Sequence, residues 1–218
     1  MDERDGLHVD PAELEGSEAY HLINALVVPR PIAWVSTVSA DGVANLAPFS
    51  YYAVLSPRPP TVCFSCTGER DTLRNVRHTG DFVANVVPES LAHQMNLTAA
   101  DFPPSESEFA AAGLTPLQSD VVKAPRLLES PASLECVVER EFAVGAGSVV
   151  FVGRVVRIHV VGEVIRDGRV DVSAFRPVGR LAGSGYVYAG EFVRLVRPTY
   201  ADILSRRRPV PSDDAPVE

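Results

Sequence analysis

At 218 residues the chain has the length of one large domain or two small ones, and an apolar content of 46% is enough for a sizeable core. Its 20 basic and 28 acidic groups leave a net charge of −8, which disfavours generic binding to nucleic acid or an anionic membrane surface. No apolar run approaches the ~18 residues of a spanning helix, the acidic N-terminus has no signal-peptide character, and three cysteines make no disulfide framework, so a cytoplasmic protein is expected.

Eighteen prolines argue against a mostly helical chain. Residues 1–19 read as an N-terminal extension, 20–200 as a single domain and 201–218 as a flexible, proline-rich tail with a three-arginine run. The first strand expected is Ile32–Ser39, apolar and β-branched, ending at the turn signal Ala40-Asp41-Gly42. Val43–Leu46 pairs back as a hairpin, Phe49–Leu55 forms a third strand and Thr61–Ser65 a fourth. Asp71–His78 reads as a short helix with Asp71 or Arg70 near its start, Asp71 being read as the N-cap, and with a glycine stop at Gly80. Phe82–Val87 is a fifth strand. An excursion with short helices follows over 89–113. Strands resume at Ala132–Phe142 and Val149–Val160, a hairpin turns at Asp167-Gly168, and Tyr186–Val196 is the last strand. This order predicts a closed antiparallel barrel, since helices of the length that parallel βαβ units need are missing.

Several chemistries are excluded. There is no G-x-G-x-x-G, no Walker A loop and no G-x-S-x-G elbow. Cys63 and Cys66 form a C-x-x-C, but within a strand rather than at a helix head, so buried thiols are expected. Histidines 8, 21, 78, 93 and 159 show no metal-ligand spacing, and no metal is expected.

What remains is a stretch rich in small polar groups: Ser36, Thr37, Asn45, Ser50, Ser65, Arg70 and Thr72. Hydroxyls, an arginine and the free N–H groups of a short helix are what a phosphate needs. The alternative is a set of strand-edge polar groups without function. Trp34 and one of Tyr51 and Tyr52 read as core, His159 as a satisfied surface histidine, Arg30 as an anchor of strand entry, and Arg74, Arg77 and His78 as the solvated face of the helix.

The segment RPIAWVSTVSADGVANLAPFSYYAVLSPRPPTVCFSCTGERDTLRNVRHTGDFVANVV resembles the flavin reductase-like family of FMN-binding split barrels, in its flavoredoxin-like branch. It carries in order R-P-x-h-h-x-S/T, D-G-x-x-N-x-A-P-[FY]-S, P-P, [KR]-D-T and G-x-F-x-x-N. In the second half, Gly179–Tyr186 is similar to an R-L-x-G-x-x-Y segment. The resemblance implies a mainly β, six-stranded antiparallel split barrel with short inserted helices. It also implies a homodimer with FMN near the interface, and no catalytic side chain, since the flavin carries the chemistry. Carried over, Ser36 and Thr37 lie along the flavin edge. Asn45, Leu46 and Ala47 meet the polar rim of the ring, partly by backbone N–H groups. Ser50, Ser65, Arg70 and Thr72 hold the phosphate, and Arg180 and Tyr186 border the ring. NAD(P)H is the implied electron donor and a free flavin or partner oxygenase the acceptor. Some relatives carry G-D-H where this chain has Gly145-Ala146-Gly147-Ser148, a departure that favours an alternative, an FMN-holding electron carrier without a nicotinamide site. A third alternative is a barrel that has lost FMN and binds another ligand or partner.

Overall fold

The computed structural model describes residues 6–193 and 195–206. In chain order the longer elements of the first half are α1 (Glu18–Leu26), β1 (Arg30–Pro31), β2 (Ala33–Val38), β3 (Ala44–Phe49), β4 (Tyr52–Pro57), β5 (Pro60–Thr67), α2 (Asp71–Thr79) and β6 (Asp81–Asn85). The excursion holds α3 (Ala92–Leu97) and α4 (Glu108–Ala111), followed by the short pair β7 (Pro116–Leu117) and β8 (Arg126–Leu127). A long hairpin, β9 (Ala132–Val144) and β10 (Ser148–Val160), precedes the small strands β11 (Ile165–Arg166), β12 (Arg169–Val170), β13 (Val178–Arg180) and β14 (Tyr186–Tyr188).

The principal sheet has seven strands in the order β3-β2-β6-β9-β10-β5-β4, every pairing antiparallel. This is the expected mainly β architecture with short inserted helices. The two edge strands, β3 and β4, follow one another in the chain through Ser50 and Tyr51, so the sheet curls until its ends meet. Phe49 on β3 and Phe64 on β5 bring their rings to 5.0 Å across that seam.

Period-2 alternation sends Val62, Phe64 and Cys66 of β5 inward, where they meet Phe82, Cys136 and Phe151. Leu73 and Val76 of α2 pack against the same cluster. Gly153 on β10 marks the closest approach: a Cβ there would lie 2.6 Å from the Phe82 ring. A second cluster lies on the outer face of β2 and β3, where Trp34 and Leu46 are covered by Met95 and Phe109 of the excursion. Both faces of β2 are therefore buried. Trp34 is core, as expected, and its indole N–H donates to Thr98 Oγ1 at 2.8 Å.

Two expectations are corrected. The N-cap of α2 is Arg70, not Asp71, and no side chain caps it; Asp71 opens the helix and pairs with Arg74. The C-terminal stop is as expected, with Gly80 at φ 74. The last strand ends at Tyr188 rather than Val196, because its partner β13 is only three residues long and Val178 faces Tyr188. Within the expected tail, Tyr200–Arg206 forms a helix, α5, and residues 207–218 lie outside the described residues. One boundary also moves: Phe49 belongs to the strand before the turn rather than to the one after it.

Candidate functional site

Two adjoining cavities, of about 700 and 430 Å³, share the walls Pro48, Phe49, Thr67 and Ala99, and so form one groove along the barrel seam. These volumes lie in the usual range for cofactor sites. The larger compartment takes Ser50 from the β3–β4 turn, Ser65 from β5, and Arg180 and Tyr186 from β13 and β14. The smaller takes Asn45 and Ala47 from β3, and Arg70 and Thr72 from the head of α2. Eight of the expected residues thus line a single groove, divided between its two ends.

Ser36, Thr37 and Leu46 do not reach it. All three are fully buried: the excursion covers the outer face of β2 and β3, which carries Ser36 and Leu46, and α2 covers Thr37 on the other face, where Asn75 donates to its hydroxyl at 3.0 Å. Ser36 Oγ donates to the Pro125 carbonyl at 2.5 Å, and the Thr37 hydroxyl donates to Asn45 Oδ1 at 3.1 Å. Asn45 Oδ1 also accepts the Thr72 hydroxyl at 2.9 Å, while its amide donates to Glu108 Oε1 at 2.6 Å. The Asn45 side chain is therefore a structural junction between β2, β3, α2 and α4.

The backbone of β3 is also engaged. Leu46 donates its N–H to Glu108 Oε2 at 3.0 Å, and the Ala44 carbonyl accepts from Ser107. Those two groups point off the sheet edge, so alternation turns the N–H groups of Asn45 and Ala47 toward β2. The open donors expected from this segment are thus already used.

At the smaller end, the first N–H groups of α2 have no side-chain cap. Arg70 and Arg74 flank them, but each guanidinium holds a carboxylate: Arg70 pairs with Asp101, and Arg74 with Asp71. Glu108 lies at the base of this end, and burial pushes its carboxyl above the usual range despite its hydrogen bonds to Leu46 and Asn45.

The larger end has the opposite character: among the described residues no Asp or Glu lines it. Arg30 is buried and donates to the carbonyls of Asn24 (2.9 Å), Val27 (2.8 Å) and Leu181 (3.0 Å), anchoring strand entry as expected. Arg180 stacks on Tyr186 with its guanidinium carbon 4.5 Å from the ring centroid. The Tyr186 hydroxyl donates to Asn96 Oδ1 at 3.0 Å.

Sequence reasoning missed Glu108 and Asp101, whose contacts are made 62 and 31 residues away in the chain and carry no local signature. It also missed a grouping of Asp120, Glu135 and His159, whose ligand atoms lie within 4.8 Å of one another. Both Glu135 oxygens are already engaged: they accept the N–H groups of Asp120, Val121 and Val122 at 2.8, 2.7 and 3.2 Å, and His159 Nε2 approaches to 2.6 Å. That arrangement is a loop anchor, and it satisfies His159 on the barrel wall. The C-x-x-C residues are free thiols on opposite faces of β5, and burial pushes Cys66 up to about 11 and Cys136 up to about 12.

Comparison with known proteins agrees with this architecture. The model of the flavin reductase-like domain matches residues 25–174. An uncharacterised protein of Halalkalibacterium halodurans is 41% identical over 203 residues, covering 88% of this chain and 97% of that one. Nitrilotriacetate monooxygenase component B from Bacillus cereus superposes with a TM-score of 0.84 at 36% identity, over 87% of this chain and 98% of that one. The 2-nitrobenzoate 2-nitroreductase of Pseudomonas fluorescens gives 0.83 at 32% identity, over 89% and 98%. By sequence and by fold, the chain belongs to the flavin reductase-like split-barrel family.

Proposed function

We propose that the chain is an oxidoreductase of the flavin reductase type that binds FMN in the seam groove and passes electrons from NAD(P)H to a free flavin or a partner oxygenase. The observation that carries this reading is the continuity of the groove. An uncapped helix head with two arginines stands at one end, and an aromatic-lined compartment large enough for a fused ring opens directly from it.

In this reading the α2 N–H groups and Arg70 hold the phosphate, with Arg70 leaving Asp101 as the anion enters. Arg70 replaces the commoner lysine with a planar fork. Thr72, whose hydroxyl is engaged by Asn45, contributes through its backbone N–H at the helix head. Pro48, Phe49 and Ala47 form the wall against which the ring lies. The hydroxyls of Ser50 and Ser65 are the donors that remain open toward its polar edge, in place of the β3 backbone. When bound, the flavin supplies the hydride-accepting and electron-releasing chemistry. The chain orients it and excludes water, and no side-chain acid or base is assigned.

The likeness to a monooxygenase component supports an oxygenase as the electron acceptor. A homodimer is supported by Val54 and Leu55, exposed on edge strand β4, and by exposed Ile23 and Leu26 on α1. A second reading, an FMN-holding electron carrier, is favoured by Gly145–Ser148: both glycines there have positive φ in a tight hairpin turn that offers no acid or histidine.

Anaerobic stopped-flow mixing of FMN-loaded protein with NADH and with NADPH tests the reading. Rapid bleaching of the flavin absorbance by either supports the reductase. Bound FMN that neither donor bleaches assigns the chain to the carrier class.

A further inference from the structure

The two ends of the groove differ in electrostatics more than one ligand requires. At the α2 end each arginine faces a carboxylate, and Glu69 and Glu108 stand nearby. At the other end no carboxylate lines the wall among the described residues, in a chain whose net charge is −8. Two arginines meet there. Arg30 on β1 and Arg180 on β13 occupy directly opposed positions of an antiparallel pair, an arrangement that like charges disfavour.

The charge of Arg30 has an answer in the structure. Its guanidinium donates to Asn24 and Val27 carbonyls at the C-terminal end of α1, where the helix dipole favours a cation. Arg180 has no such answer. It donates to the Gly183 carbonyl and lies over Tyr186, and among the described residues no carboxylate pairs with it. Aromatic side chains share the compartment with it: Tyr186 lies under its guanidinium, and Tyr51 and His21 also line the wall.

We propose that this end of the groove is a second ligand subsite, selective for a small aromatic monocarboxylate bound by Arg180 within the larger compartment, beside the place of the ring. The proposal rests on the flavin reading only in placing this ligand next to a flavin. A phosphate at the α2 end leaves Arg180 without an anion, so the second positive centre calls for a second ligand. One guanidinium fork matches one carboxylate, in-plane and bidentate. A phosphate dianion would need further donors, and Arg30, the other cation here, already donates to three carbonyls and to Ser50 Oγ. The aromatic lining supplies the apolar surface that a benzoate-like ring buries.

The test is isothermal titration of the full chain, with and without FMN, using benzoate, its uncharged isostere benzamide, and AMP as a phosphate-bearing aromatic. Benzoate binding at least about tenfold tighter than benzamide, weakened at least about tenfold in Arg180→Gln and partly restored in Arg180→Lys, is the expected result. FMN affinity, measured on the same variants, is expected to fall by a smaller factor than benzoate affinity. Equal binding of benzoate and benzamide, or preferential Arg180-dependent binding of AMP, would overturn the carboxylate assignment. Equal losses of benzoate and FMN in Arg180→Gln would place Arg180 in the flavin site and overturn the second subsite. If FMN fails to bind while benzoate binds through Arg180, the flavin reading fails and the subsite stands.

Discussion

Glu108 Oε2 accepts the N–H of Leu46 at 3.0 Å, so a carboxylate from the helical excursion stands where the next strand of the sheet would pair with β3. Its other oxygen holds the Asn45 amide at 2.6 Å. One side chain thus covers an open sheet edge and fixes the wall of the groove. Glu108→Ala leaves a buried amide and a buried backbone N–H without an acceptor, and a loss of about 2–4 kcal/mol is expected in urea unfolding. Glu108→Gln keeps the acceptor for Leu46 but turns an amide donor toward Asn45, whose Oδ1 is held by Thr37 and Thr72, so it recovers part of that loss.

The same carboxyl has a pH signature. Burial raises it above the ordinary value of 4.5, so the folded chain holds this proton more tightly than the unfolded chain. The contribution is fully present below 4.5 and is lost as pH rises through the folded value. Glu135 has the opposite sign. Burial alone would raise it, but N–H groups of the 120–122 loop and His159 hold it below 4.5, so its contribution is present above 4.5 and lost as pH falls through the folded value. Thermal melts across pH should therefore lose an acid-side slope in Glu135→Gln. In Glu108→Gln they should lose a decline on the weakly acidic side.

Close packing at Gly153 gives a third prediction. A methyl group there meets the Phe82 ring at 2.6 Å, and Cys136 blocks retreat at 3.1 Å. Gly153→Ala should destabilise the barrel by about 1–3 kcal/mol in denaturant unfolding. A stability equal to the parent would mean that the ring moves freely in the core.

The thiols give a fourth. With Cys66 pushed up to about 11 and Cys136 up to about 12, both buried, neither offers thiolate near neutral pH. A thiol reagent applied to the native chain at pH 8 should modify half-buried Cys63 slowly, ahead of the other two, and all three only after unfolding. Rapid reaction of two thiols with disulfide formation would restore a redox role to C-x-x-C.

Much of this molecule is legible in its sequence where the signal is local. Turn residues Asp167 and Gly168, both at positive φ, and the helix stop at Gly80 are set by backbone chemistry within a few residues. The β9–β10 pair is long and apolar enough to declare itself. The end of the last strand is not legible, because it depends on the length of a separate partner, β13. The site shows the same divide. Ser50, Ser65, Arg70 and Thr72 line one groove but do not meet at one seat as expected: Ser50 and Ser65 stand in its larger compartment, Arg70 and Thr72 in its smaller one. Ser36 and Thr37 look like strand hydroxyls open to a ligand until the excursion covers one face of their strand and Asn75 of α2 the other, and nothing in residues 89–113 announces which surface the excursion will cover. Asp101 and Glu108 are invisible for the same reason.

The flavin assignment meets its most direct test in a titration of the apo chain with FMN, following flavin fluorescence, for the parent, Arg70→Ala and Asp101→Asn. Saturable binding is predicted, weakened about tenfold or more without the Arg70 cation and strengthened severalfold when Asp101 no longer competes for it. FMN binding that is absent, or indifferent to both substitutions, would contradict an anion seat at the head of α2.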